Sequence, residues 1–248
     1  MPNRKKCIKF RSSKGLQQGN LGGQSPLKKN IFMQVKKLFK KFDDLQNVYG
    51  AKNLNAIYGA GQIKNPRLCL VFMNPTSRNV ASDKRWTGIK APWIGTKNVW
   101  KMFYQLGFLN KKLFKEINVR KPSDWDYDFA EKVYEKVSDN SIYITNLSKA
   151  TQIDARPLKN GVFKKYLNLF KEEMSIIKPK IIISFGNQVS SVLLDKNIKV
   201  SEYRRKHEIL ENNGGVLKIF PVYYPVGQGT RNMKKAKEDI NWIIKNQI

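Results

Sequence analysis

Cysteine is scarce in this sequence: two in 248 residues, Cys7 and Cys69. One lies among basic residues near the N-terminus and the other in an apolar run. They make neither a disulfide framework nor a Cys-rich metal or cluster site. No metal or cofactor is therefore expected, and a reducing, intracellular compartment (cytoplasm or nucleoid) fits. Long hydrophobic runs are missing too. None approaches the roughly 20 residues that span a bilayer, and no apolar core of a secretory signal follows the basic N-terminus. No membrane-spanning segment is expected, and no membrane partner. The Gly-x-x-x-x-Gly-Lys-Ser/Thr loop of an ordinary P-loop phosphotransferase is also absent. Acidic residues are the last shortage: 19 Asp and Glu face 47 Lys and Arg, for a net charge of +28.

An excess of one sign repels itself in a folded chain, and the usual partner that offsets it is a polyanion. Nucleic acid leads, because phosphate neutralisation releases counterions and makes binding salt-dependent. An anionic membrane surface comes second. A bias toward lysine codons is the alternative that carries no function. Apolar content of 41% is ordinary, and the length suits one large α/β domain, with or without appendages.

Residues 1–29 are basic and rich in Gly, Gln and Ser, with little to bury. They read as a flexible basic arm, with residues 30–248 as the folded domain. Ile31, Val35, Leu38, Phe39 and Phe42 recur at helical spacing over 31–45. The run Leu68-Cys69-Leu70-Val71-Phe72-Met73 reads as a strand buried on both faces, closed by Asn74-Pro75. A long connection through Trp86, Pro92, Trp93 and Gly95 follows; loops of this length are usually functional. Thr96 is the expected cap of a helix ending at Gly107, and a second helix is expected near 126–137.

Residues 141–145 form the next strand, closed by Asn146. A helix over 162–177 stops at Pro179, a strand covers 181–185, and Gly186 opens another helix. A polar, basic excursion from Lys196 to Gly215 precedes a fourth strand, Leu217 to Val222, and a last helix closes the chain. Strand and helix alternate four times. The expectation is a three-layer α/β/α fold with a mostly parallel four-stranded sheet. In such sheets ligands bind beyond the carboxyl ends of the strands. There stand Asn74, Asn146 and the Tyr224-Pro225 turn.

These motifs together resemble the uracil-DNA glycosylase superfamily. Tyr58-Gly59-Ala60-Gly61, then Phe72-Met73-Asn74-Pro75, is similar to the family's first motif. Pro92-Trp93-Ile94-Gly95 resembles the Pro-Phe-Val-Gly segment of the family-four-like branch, and Thr145-Asn146-Leu147-Ser148-Lys149 its Thr-Asn-x-x-Lys. Arg156-Pro157 matches the Arg that follows, and residues 179–186 resemble the Pro-Lys-x-Ile-x-x-Leu-Gly strand. Tyr224 stands where several branches carry a His, while the lone histidine, His207, lies elsewhere. The Asn-Pro turn is similar to that of the mismatch-specific branch, and the Cys ligands of the iron–sulfur branch are missing.

The resemblance implies a monomeric, monofunctional DNA glycosylase of base excision repair, acting on uracil or a related deaminated or mispaired base. It implies that Asn74 positions the water, with Pro75 beside it, that Trp93 stacks on the extruded base, and that Asn146 reads its edge. Tyr224 is then the donor to the leaving base. Lys149, Arg156, Gln228 and Arg231 are the candidate phosphate contacts, or plain solvated residues. The chemistry suits these side chains. An amide both donates and accepts, so it matches uracil O4 and N3–H together, whereas cytosine presents a different edge. Extrusion costs a few kcal/mol, least for a mispaired base. The alternative is a catalytically weak or inactive glycosylase fold that only binds nucleic acid.

Overall fold

The computed structural model describes residues 26–156, 158–212 and 215–248, with side chains from residue 29 onward. The expected basic arm lies outside the described residues up to position 25; its last residues open helix α1 (Pro26–Tyr49). The central strands are β2 (Leu68–Phe72), β3 (Ile142–Asn146), β4 (Ile181–Phe185) and β6 (Gly215–Val222). They lie in the order β3-β2-β4-β6 and every pairing among them is parallel. These are the four expected strands.

The sheet has six strands rather than four. Strand β1 (Ala60–Gly61) adds to β3 and β5 (Glu208–Asn212) adds to β6, both antiparallel. The second lies in the polar excursion. Its Glu and Asn residues conceal it, because in this edge strand half-buried positions only alternate with exposed ones.

Helices α2 (Asn98–Gln105), α3 (Lys111–Val119), α4 (Tyr127–Asp139) and α7 (Met233–Gln247) cover one face of the sheet. Helices α1, α5 (Asn160–Ile177) and α6 (Asn187–Leu194) cover the other. Strict alternation sorts the strands between these layers. Leu68, Leu70 and Phe72 face the first, while Cys69 and Val71 face the second. All five residues of β2 are buried, and each such apolar side chain contributes about 1.5–3 kcal/mol relative to exposure. The sheet is therefore anchored at its centre.

Helix α3 has no counterpart among the expected elements. Thr96 does not cap α2; its Oγ1 donates instead to the Trp93 carbonyl at 2.8 Å. Among the described residues, no helix is long and apolar enough to cross a membrane.

Candidate active site

Because the four central strands are parallel, their carboxyl ends share one edge. Phe72 on β2 pairs in register with Asn146 on β3, and Phe185 on β4 with Val222 on β6. Partners in register point to the same side. Asn146 follows Ile142 and Ile144 by alternation, so its side chain leaves the sheet on the Phe72 face.

Phe72 is the hub of this edge. It stacks on Phe185 with centroids 4.5 Å apart. The Trp93 and Tyr224 rings meet it edgewise, at 4.9 and 6.1 Å with interplanar angles of 72° and 86°. Such edge-to-face pairs contribute about 0.5–1.5 kcal/mol beyond area burial. Two loops, one after β2 and one after β6, are thereby drawn to a single strand end. The sequence places Phe72 in the buried strand and in the segment Phe72-Met73-Asn74-Pro75, but not among the candidate site residues. The signal was present, since it stands two residues before Asn74 on the same alternation.

Trp93 carries φ +67°, in the left-handed region that a bulky residue rarely adopts. Strain of this kind persists only where neighbours over-determine it. Here the Trp93 carbonyl accepts from Thr96 N at 3.1 Å, Thr96 Oγ1 at 2.8 Å and Trp100 Nε1 at 3.1 Å. Asn79 Nδ2 holds the Ala91 carbonyl at 2.8 Å, and the Tyr134 hydroxyl holds that of Pro92. Trp100 and Tyr134 were missed as supports because each lies on a later helix.

Asn74 is half-buried. Its Nδ2 donates to the Pro75 carbonyl at 3.2 Å, which also accepts from Gln152 N at 3.0 Å. Pro75 itself is buried. Asn74 Oδ1 is buried without a partner, as are Trp93 Nε1 and Asn146 Nδ2. Among the described residues five side-chain polar atoms share that state, and three of them belong to this edge. Leaving a buried donor or acceptor unpaired costs about 1–3 kcal/mol. One acceptor and two donors buried without partners beside an aromatic hub are a set that a planar polar ligand would satisfy.

Burial pushes the Tyr224 phenol pKa well above its ordinary value. Tyr224 is therefore a neutral O–H donor at physiological pH. Gly186, at φ +88°, lies against it; a Cβ there would stand 3.4 Å from Tyr224 Cβ.

The expected phosphate contacts divide. Lys149 is fully buried and ion-paired to Glu173 at 2.8 Å, so it is no surface contact. The chain turns inward after Asn146, and a lysine that looks solvated in sequence meets an acid 24 positions later. Arg156 is exposed on the loop after β3 and pairs with Asp154 at 2.8 Å. Gln228 and Arg231 are exposed on the short 3-10 turn Gly227–Asn232, just past Tyr224. His207 is exposed at the β6 edge, its ring 5.0 Å from that of Phe220. Two surface clefts, about 600 Å3 beside Gln188 and Asp195 and about 250 Å3 beside Glu116 and Lys132, are lined by none of the site residues.

The model of the uracil DNA glycosylase superfamily matches residues 58–245, from the segment before β1 into α7. The chain belongs to that superfamily, whose members act on DNA. No curated protein matches it.

Proposed function

We propose that this protein is a monofunctional DNA glycosylase that hydrolyses the N-glycosidic bond of uracil, or of a related deaminated or mispaired base. The observation that carries the reading is the set of unpaired atoms Asn74 Oδ1, Trp93 Nε1 and Asn146 Nδ2 around Phe72. It supports a flipped base lying against Trp93, with Asn146 Nδ2 donating to uracil O4.

In the reaction the bond between C1′ and N1 breaks and its electron pair leaves with the base. The sugar becomes oxocarbenium-like and the base a uracil anion. Tyr224, kept protonated by burial, donates to the anion's O2. Asn74 Oδ1 accepts from a water and aims it at C1′. The water's hydroxyl forms the new C–O bond and its proton passes to the departing anion. Asn74 carries no charge and takes no proton, so turnover is slower than with a carboxylate in that place. Arg156, Gln228 and Arg231, exposed on loops beyond the same edge, meet the phosphates.

A fluorescent oligonucleotide with one uracil, treated with protein and then alkali, tests this reading. The neutral Asn74 and the phenol of Tyr224 favour one other reading, a binder without catalysis. It predicts salt-sensitive DNA binding and no alkali-labile site.

A further inference from the structure

Lys149 and Glu173 make an ion pair with both side chains 1% exposed, directly behind the strand end that bears Asn146. We infer that this pair positions Asn146 for base reading, an assignment that rests on the glycosylase reading above. The three donors of the Lys149 ammonium are all in use. Nζ donates to the Asn146 carbonyl at 2.7 Å, to Thr145 Oγ1 at 2.6 Å and to Glu173 Oε2 at 2.8 Å. Glu173 Oε1 in turn accepts from the Tyr143 hydroxyl at 2.7 Å and Thr145 Oγ1 at 3.2 Å. The ammonium also stands 5.0 Å from the centroid of the Phe42 ring.

The placement follows from the strand. Tyr143 and Thr145 alternate with Asn146, so they point to the α5 side of the sheet while the Asn146 amide points to the Phe72 side. The ion pair grips the β3 end from behind. With its carbonyl held by a charged donor, the Asn146 peptide plane is fixed, and with it the direction of the side chain. That carbonyl is also occupied, while Nδ2, buried, remains unpaired.

The segment before β1 is shaped to the same network. A Cβ on Gly59 would stand 2.0 Å from the Tyr143 hydroxyl oxygen and 2.7 Å from Glu173 Oε1, so only glycine fits. Stability alone does not account for the pair. Replacing a buried ion pair by apolar groups of similar volume is often neutral or stabilising, whereas removing one partner is costly.

The test compares Lys149→Met, Glu173→Gln, the double variant and Thr145→Val. Melting temperature, DNA affinity and single-turnover uracil release are measured for each. Either charge variant alone melts lower, and the double variant regains wild-type melting. Its release rate nonetheless stays about 10–100-fold down with DNA affinity unchanged, because Met cannot hold the Asn146 carbonyl. Thr145→Val, which keeps both charges, is slowed in the same direction and carries the test if the double variant does not fold. Wild-type release in the double variant, or in Thr145→Val where the double variant does not fold, overturns the inference. If the wild-type protein releases no base, the glycosylase reading fails. Positioning is then read from the Asn146 side-chain amide resonance in the same variants. A shifted or broadened cross-peak upholds the inference, and an unmoved one overturns it.

Discussion

The Trp93 indole meets the Phe72 ring at an interplanar angle of 72°, with centroids 4.9 Å apart, while the Trp93 backbone sits at φ +67°. An aromatic held this way is a rigid platform. Stacking on such a platform contributes about 1–3 kcal/mol per base. Trp93→Ala should therefore lower uracil release roughly 10–100-fold, and also lower the melting temperature through the lost contact with Phe72. Trp93→Phe should recover most of the stacking and lack only the Nε1–H donor. Single-turnover rates of the two variants check this, and equal loss in both would show that stacking is not the function of Trp93.

Asn146 supplies a buried, unpaired donor. Asn146→Asp replaces it with an acceptor-only group that faces the lone pairs of uracil O4. Loss of one such donor costs about 100–1000-fold in rate. Single-turnover release from a U·G duplex should fall by that order while circular dichroism stays unchanged.

Burial raises the pKa of the Tyr134, Tyr143, Tyr166 and Tyr224 phenols above their ordinary value, and of Tyr58, where Asp43 adds to the effect. In the unfolded chain these groups ionise near pH 10. The stability they contribute is fully present below about pH 10 and is lost as pH rises through the higher folded values. Melting temperature should hold steady to about pH 10 and then fall steeply. Tyr224→Phe should lower the release rate while leaving its pH profile between 6 and 9 unaltered in shape, since a donor that stays protonated does not titrate there.

Two charges that look alike in sequence should behave oppositely. Lys149→Met leaves Glu173 buried and unpaired, at a cost of about 3–5 kcal/mol. Arg156→Ala breaks an exposed pair with Asp154, worth about 0–1 kcal/mol. Chemical denaturation separates them. The Arg156 change should instead weaken DNA binding and flatten its dependence on salt.

That contrast marks where sequence reasoning stops. The four parallel strands are legible because β2 is an unbroken apolar run and β4 is one but for Ser184, both buried on both faces. Strand β5 is not, because its Glu208, Glu211 and Asn212 read as loop until β6 supplies a partner. Asn74, Trp93, Asn146 and Tyr224 stand out through the order of their motifs. The burial of Lys149 depends on Glu173, and the anchoring of Trp93 on Trp100 and Tyr134. Such contacts exist only once helices pack, and no spacing along the chain announces them. Thr96 shows the converse: a residue with the right identity for a helix cap spends its hydroxyl on the Trp93 carbonyl.

The central claim is tested most directly by incubating excess protein with labelled oligonucleotides carrying a single uracil, as U·G, U·A and single strand, and then adding alkali. The account predicts an alkali-labile break at the uracil, fastest in U·G, and loss of that break in Asn146→Ala protein that remains folded. Intact oligonucleotide in all three substrates across a wide range of protein concentration would contradict it.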